Sequence, residues 1–174
     1  MIKYLKIPAC ILLVCSNAIS AFAQASASAT ATSSATIVTP IAISEVTNLD
    51  FGNVAISDVL NGTVTMPATS AGLRSLTGGV TLPVVDGIHQ AASFDVTGEG
   101  SYAYTITLHS TDLDLDNGNG DHMQVNAFTQ STVAGTFTLG AQTIYVGAKI
   151  NVSAAQAAGD YLSGTPFTVT VDYN

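Results

Sequence analysis

The sequence of 174 residues contains no tryptophan, only two cysteines and only four lysine or arginine residues. Both cysteines, Cys10 and Cys15, lie near the N-terminus, so the rest of the chain forms neither disulfides nor thiolate metal sites. The scarcity of positive charge argues against binding to nucleic acid or to anionic lipid. The absence of tryptophan argues against a carbohydrate-binding platform of large aromatic rings.

Catalytic motifs are also absent. The chain has no Gly-x-Ser-x-Gly elbow, no Ser-x-x-Lys pair and no phosphate-binding glycine loop, which are the usual marks of nucleophilic or phosphoryl chemistry. Its three histidines, His89, His109 and His122, are not spaced like the ligands of a zinc site. We therefore predict a protein that is not an enzyme and that needs no cofactor.

Residues 1–23 have the three regions of a secretory signal peptide. Lys3 and Lys6 provide the positive charge, residues 7–14 form an apolar run, and Ala-Phe-Ala at 21–23 precedes Gln24. The run is shorter than the roughly 20 apolar residues of a membrane-spanning helix, and no later stretch reaches that length. The pattern predicts cleavage after Ala23, export through the Sec pathway, transit through the periplasm, and a final place on the cell surface or outside the cell.

Cleavage would leave residues 24–174 as the mature chain. Its only cations are Arg74 and Lys149, against 12 acidic side chains, which gives a net side-chain charge of −10. A chain of this length suits one domain that buries a core without covalent cross-links.

Residues 24–35 form a low-complexity leader of alanine, serine and threonine. Alanines 25, 27, 29 and 31 alternate with hydroxyl side chains, and this period of two is typical of a strand. One interpretation is a flexible leader, because alanine buries too little surface to offset the ordering entropy. The other is a strand that becomes ordered when it adds to a partner's sheet. The alternation continues in phase through Ile37, Ile41 and Ile43, which are therefore candidate partner-binding residues.

Residues 36–174 predict an all-β domain. Short runs of β-branched and aromatic residues are separated by turn pairs such as Asn61-Gly62 and Asp86-Gly87, and no window has the 3.6-residue apolar period of a helix. About ten strands are expected in an antiparallel β-sandwich, at 36–43, 46–56, 62–66, 79–85, 91–97, 102–109, 122–129, 135–139, 142–152 and 165–173. The last of these runs has a one-sided stripe that needs a second apolar layer, consisting of Phe167, Val169, Val171 and Tyr173.

The most suggestive polar cluster is Asp112, Asp114, Asp116 and Asp121. Carboxylates at alternate positions can converge on calcium, which takes six to eight oxygen ligands. The order of residues departs from a calcium loop of the EF-hand type, because Asn117 stands where a glycine is needed and Met123 where a bidentate acid is needed. The alternative interpretation is a polar hairpin tip with Leu113 and Leu115 facing inward.

Arg74 is the only arginine of the sequence. We expect it to form a partly buried ion pair with a carboxylate such as Asp50 or Asp95.

Several segments together resemble the secreted bacterial family known as domain-of-unknown-function family 4402. The resemblance covers nearly the whole mature chain and implies no activity. The segments are Ala35-Thr-Ile-Val-Thr-Pro-Ile-Ala-Ile43, Leu49-Asp-Phe-Gly52, Gly78-Gly-Val-Thr-Leu82, Ala91-Ala-Ser-Phe-Asp-Val-Thr-Gly98, Gln156-Ala-Ala-Gly-Asp-Tyr161 and Phe167-Thr-Val-Thr-Val-Asp-Tyr-Asn174.

The end of the chain is also similar to that of chaperone-usher pilus subunits of the archaic and spore-coat-U-like kind. In both, a glutamine and then Gly-x-Tyr precede an alternating last strand, here with Tyr173 in the penultimate place. The resemblance implies an incomplete immunoglobulin-like sandwich, which a periplasmic chaperone holds and which an N-terminal extension of the next subunit completes. Residues 24–43 would then be the donor, and the last strand would flank the acceptor groove. On this interpretation Phe167, Val169, Val171 and Tyr173 are candidate partner-binding residues together with Ile37, Ile41 and Ile43.

The leading hypothesis is therefore a structural or adhesive surface protein, such as a fimbrial subunit, that associates with itself or with related subunits. The alternative is a self-contained β-sandwich that binds calcium or a glycan.

Overall fold

The computed structural model describes residues 26–132, 134–137 and 139–174. The chain divides into two units, Met1–Thr36 and Ile37–Asn174. The described part of the first unit, residues 26–36, is exposed and contains neither helix nor strand. The predicted signal peptide, residues 1–23, lies outside the described residues. Among those that are described, no helix is long and apolar enough to cross a membrane.

The second unit is an all-β domain, which confirms the predicted fold class. The described residues contain 13 strands, which pair in antiparallel fashion. In chain order they are β1 (Ala42–Thr47), β2 (Ala55–Ile56), β3 (Gly62–Met66), β4 (Ser75–Gly78), β5 (Val80–Thr81), β6 (Ala92–Thr97), β7 (Ala103–Leu108), β8 (Leu113–Asp116), β9 (His122–Gln130), β10 (Ala134–Thr136), β11 (Ala141–Val152), β12 (Leu162–Ser163) and β13 (Val169–Tyr173).

The largest sheet is built on β11, a strand of 12 residues. One edge of β11 pairs with β9, while the other edge pairs first with β6 and then with β3. The change of partner occurs around Gly147, where an added Cβ would lie 2.1 Å from the Met66 carbonyl oxygen. Only glycine allows the backbones to approach so closely. The sheet continues from β6 to β1, from β9 through β8 to β12, and from β3 to β4.

A second sheet, in the order β10-β7-β13, covers one half of the large sheet. Their facing side chains form a core in which Val96, Tyr104 and Ile144 have no exposed surface. The Tyr104 ring stacks on Phe137 with centroids 4.6 Å apart, and its hydroxyl donates a 2.6 Å hydrogen bond to Gln142 Oε1. Because the hydroxyl is thus satisfied, a tyrosine is tolerated in the centre of this half of the sandwich.

The other half of the large sheet carries a second core, which includes Val64, Met123, Val125 and Ile150. Among the described residues, the strands of the second sheet do not extend over this core. Its cover comes from the segment of residues 49–56, from the short β2–β5 ladder, and from Tyr161 and Phe167. The second layer of the sandwich is therefore regular over one half of the large sheet and irregular over the other.

Several strand boundaries differ from those predicted. The run predicted at 36–43 becomes a strand only from Ala42, and the run at 46–56 is divided between the end of β1 and β2. The run at 79–85 is a strand only at Val80–Thr81, and the run at 165–173 is a strand only from Val169. Three short strands, β4, β8 and β12, were not predicted. They are two to four residues long, and tertiary pairing stabilises segments whose local apolar alternation is too brief to indicate a strand.

Candidate functional site

An open cleft of about 1250 Å³ lies within the domain, over the half of the large sheet that the second sheet leaves uncovered. Residues 45–56 form one wall, and residues 156–163 with Pro166 and Phe167 form another. The floor consists of apolar side chains of the large sheet, namely Ala92, Phe94, Leu113, Leu115, Met123, Val125, Ile150 and Val152. A concave site of this size with an apolar floor is the main candidate for binding in the described part of the chain.

The floor follows directly from the period of two. Leu113 and Leu115 of β8, Met123 and Val125 of β9, and Ile150 of β11 occupy alternate positions in paired strands, so they share one face. The residues between them, such as Asp114 and Gln124, are exposed on the opposite face. The sequence therefore builds a flat apolar surface with a polar back.

A bulge in β9 adds an aromatic group beside this floor. Opposite the single residue Ala148, β9 has two residues, and one of them, Ala127, has a positive φ of 50°. The extra residue reverses the phase of alternation, so Phe128 joins the apolar core although Met123 and Val125 have odd numbers. The Phe128 ring lies 5.3 Å from Phe167, and Phe167 lies 6.1 Å from Phe94.

Two strand edges near the cleft are unpaired within the described residues. The first strand, β1, pairs only with β6, and the last strand, β13, pairs only with β7. They belong to different sheets but lie close to each other. Each presents a row of backbone donors and acceptors that another strand can use.

The beginning of the domain is fixed at the opposite end from the cleft. The amide and hydroxyl of Thr39 donate to Glu99 Oε2 at 3.1 and 2.9 Å. The Tyr173 hydroxyl donates to the Thr39 carbonyl at 2.8 Å and accepts from the Glu99 amide at 2.6 Å. The hydrogen bonds from Thr39 lower the pKa of Glu99 below its ordinary value of 4.5. Penultimate Tyr173 thus joins the last strand to the point where the N-terminal segment enters the domain.

The seven predicted partner-binding residues have three different environments. Ile37 is 97% exposed. The core between the two sheets contains Ile41, Ile43, Val169, Val171 and Tyr173. Phe167 lines the cleft. The structure therefore brings most of them together as the two strands that flank the interior of the sandwich, and only Phe167 reaches the cleft.

The four predicted calcium ligands lie at the β8–β9 hairpin. His122 Nδ1 is 2.7 Å from Asp114 Oδ2, and its Nε2 is 3.6 Å from Asp116 Oδ2. Asp121 accepts instead from the Asn117 side chain at 3.0 Å, and Asp112 is exposed before the strand. No group of three acidic, histidine or cysteine side chains with the arrangement of a metal site occurs among the described residues. The hairpin turns at residues 117–121, where the Asn117 side chain accepts from the amides of Asn119 and Asp121.

Arg74 pairs with Asp86. The expected partners, Asp50 or Asp95, were therefore wrong. Its side chain is 2% exposed, and Nη2 lies 3.5 Å from Asp86 Oδ2. The guanidinium also donates to the carbonyls of Phe51, Asn53 and Asp86. The side chain therefore fixes one cleft wall, residues 51–53, against the loop around Asp86.

Sequence reasoning missed that cleft wall. Leu49, Phe51, Val54 and Ile56 pack on the second core from a segment that is mostly irregular, although an extended strand was expected at 46–56. The available signal was Asn48-Leu-Asp-Phe-Gly52-Asn, because asparagine, aspartate and glycine mark turns.

Comparison with protein-family models identifies the family of this domain. The model described as "Domain of unknown function (DUF4402)" matches residues 41–173. The chain belongs to the DUF4402 family. Neither the curated proteins nor the solved structures include a significant match to it. The DUF4402 match contains the floor and walls of the cleft, and it ends at Tyr173. It begins at Ile41, so the leader and Ile37 precede the matched region.

Proposed function

We propose that this protein is a non-enzymatic structural subunit of the cell surface or extracellular space, and that its copies assemble by strand addition. The observation that carries the proposal is the open apolar cleft beside two unpaired strand edges. An extended segment placed there would gain main-chain hydrogen bonds from an edge and apolar contacts from the floor. The same strand edges left unpaired in water would promote nonspecific association.

The proposed occupant is the leader, residues 24–35, of a second copy. Its described part, residues 26–35, is exposed and forms no strand, so its backbone groups are available for pairing. Its alanines lie on one face of an extended strand, which fits a shallow apolar groove better than a deep one. Because alanine buries little surface, most of the affinity would come from main-chain hydrogen bonds.

The sequence features of export agree with this role. A signal peptide at residues 1–23 would deliver the chain through the periplasm to the surface or medium, where a subunit of a fibre acts. Before assembly, the cleft needs either a temporary partner, such as a periplasmic chaperone, or a low concentration of free subunits. The alternative function, a self-contained sandwich that binds calcium or a glycan, predicts stable monomers instead.

The first test is size-exclusion chromatography with light scattering on residues 24–174 and on a version that begins at Ala35. We expect multimers from the longer protein and monomers from the shorter one. Equal multimers from both would refute the leader as donor, and stable monomers from both would favour the self-contained sandwich.

A second test separates donor from acceptor. The substitution Leu115→Glu places a charge on the cleft floor, so full-length L115E should keep its donor but lose its acceptor. The version beginning at Ala35 should keep its acceptor but lose its donor. Each should be monomeric alone, and an equimolar mixture should form heterodimers and nothing larger. Urea unfolding curves check that L115E is folded. Leu73→Glu is the matched control, because Leu73 is exposed and lies outside the cleft lining, and it should assemble like the parent protein.

A further inference from the structure

An exposed aliphatic loop, residues 82–88, lies at the cleft end of the domain. Val84 is fully exposed, and Val85 and Ile88 are 73% and 72% exposed. Single exposed aliphatic residues are common on protein surfaces, but three within five positions form a contiguous patch.

The loop is held in place. Asn53 accounts for two contacts, since its amide donates to the Asp86 carbonyl at 2.7 Å and its side chain donates to the Val85 carbonyl at 3.1 Å. Buried Arg74 donates to the same Asp86 carbonyl at 3.0 Å. After the loop, Gln90 and Asp50 exchange two backbone hydrogen bonds of 2.9 Å. Because these contacts fix the backbone, the aliphatic side chains cannot turn inward without breaking them.

The patch is continuous with the cleft. Ile88 is itself part of the cleft lining, and the loop leads through Gln90 into β6, whose first residues form part of the floor. A segment that occupies the cleft and continues past its rim would therefore reach the aliphatic loop.

The chain enters the domain at the other end. The Thr39 contacts with Glu99 and Tyr173 fix this entry beside the last residues of β6 and β13 and before the start of β11. At about 3.3 Å per step, the roughly 11 steps between the first and last of the 12 residues of β11 separate the entry end of the domain from the cleft end by roughly 36 Å. Three exposed apolar side chains lie near the entry: Ile37 precedes Thr39, Tyr102 lies 5.7 Å from Tyr173, and Leu139 precedes Gly140, which accepts from Gly98. We call these three residues the entry surface.

We propose that the entry surface of one copy packs on the aliphatic loop of the next copy. The inference rests on the proposed strand addition, because a donor seated in a cleft brings the entry point of its own domain toward the rim of that cleft. Both surfaces are apolar and exposed, and they lie at opposite ends of one chain. Such a contact is head-to-tail, so it extends into a linear filament and does not close as a symmetric dimer.

Cysteine cross-linking tests the contact directly, because residues 24–174 contain no cysteine. The double variant V84C/L139C, treated with a short bis-maleimide, should give a ladder of covalent multimers. An equimolar mixture of the single variants V84C and L139C should give covalent dimers and no longer species.

Substitutions measure the contribution of the loop. The change Val85→Ser should raise the concentration for half-maximal assembly about ten-fold, since burying a valine side chain in a contact raises an association constant by a factor of about ten. The matched control is Val59→Ser, because Val59 is 79% exposed and lies beyond the other end of the β2–β5 ladder. It should leave assembly unchanged.

The outcomes separate the two proposals. If V85S assembles normally and no 84–139 cross-link forms, while removal of residues 24–34 still abolishes multimers, the head-to-tail contact is refuted and strand addition stands. If every variant and the parent protein are monomeric, both proposals fail. Thermal unfolding of each variant checks that these exposed positions leave the fold intact.

Discussion

The buried guanidinium of Arg74 provides the sharpest test of how the cleft is held open. In Arg74→Met, the apolar stem is largely retained, but the hydrogen bonds to the carbonyls of Phe51, Asn53 and Asp86 are lost. Two of these bonds are partly buried, and each is of the charged type that contributes about 1.5–3 kcal/mol. The bond to Asn53 is exposed, so water replaces it, and the half-exposed Asp86 carboxylate adds little through the ion pair.

Two terms partly offset this loss. Methionine removes the cost of burying a charge, and it also removes Nε, which has no hydrogen-bond partner although it is buried. The expected net decrease in the free energy of unfolding is therefore about 2–4 kcal/mol. For a domain of this length, such a change lowers the melting temperature by roughly 5–12 °C.

Urea unfolding followed by circular dichroism measures this quantity, and Arg74→Lys is the matched variant. Lysine keeps the charge and the stem, but its single ammonium group cannot serve three diverging carbonyls, so we expect about half of the loss. Amide hydrogen exchange at Asp50 and Gln90 should accelerate in R74M, because their bridge joins the two segments that Arg74 holds. A decrease below about 0.5 kcal/mol for R74M, or wild-type stability for R74K, would refute the reasoning.

Three further predictions concern the leader, the entry point and the acidic hairpin. Ala31→Leu should lower the concentration for half-maximal assembly by roughly 10- to 50-fold, since each added buried methylene contributes about 0.8 kcal/mol. Thr30→Leu, on the other face of the leader, should change this concentration by less than about 3-fold. Equal effects of the two substitutions would refute the assignment of the alanine face as the one that contacts the cleft. The Thr39 amide resonance should titrate with a midpoint below pH 4.5, because Glu99 has a lowered pKa in the fold. The contact between Glu99 and Thr39 is present above that midpoint and is lost as the pH falls through it. A midpoint at or above 4.5, or a titration that persists in Glu99→Ala, would contradict the assignment. Millimolar calcium should leave the melting temperature unchanged, because Asp114 and Asp116 contact His122, Asp121 accepts from Asn117 and Asp112 is exposed. A clear rise would show binding to the native state.

The fold class was predictable because the apolar alternation is long in the central strands. β3 and β11 were expected at nearly their observed bounds, since Val64 and Met66, and the even-numbered residues from Ile144 to Val152, lie on one face. β8 was hidden because its two leucines alternate with aspartates that equally suit a turn. The partner of Arg74 was not predictable, because it depends on how two irregular segments meet in three dimensions.

The cleft itself could not be predicted from the sequence, although most of its floor could. Alternation shows which side chains share a face, but it does not show whether a second layer covers that face. Here the covering segments are residues 49–56 and 156–167, whose turns and short strands leave little periodic signal. The bulge at Ala127 has a similar effect, because one extra residue turns Phe128 inward against the pattern of its own strand.

The two cores explain why the domain can fold and still leave a cleft. β11 crosses both cores, pairing with β6 around Ile144 and with β3 and β9 around Ile150. Ile144 is therefore fixed beneath the second sheet, while Ile150 lies in the floor of the cleft. The complete half can therefore stabilise the large sheet without an occupant in the other half. An added strand would then find a floor that is already formed, and it would pay mainly for its own ordering. A leader rich in alanine, with little surface to bury, is an effective donor only under that condition, which is why the rigidity of the floor and the walls held by Arg74 matters for assembly.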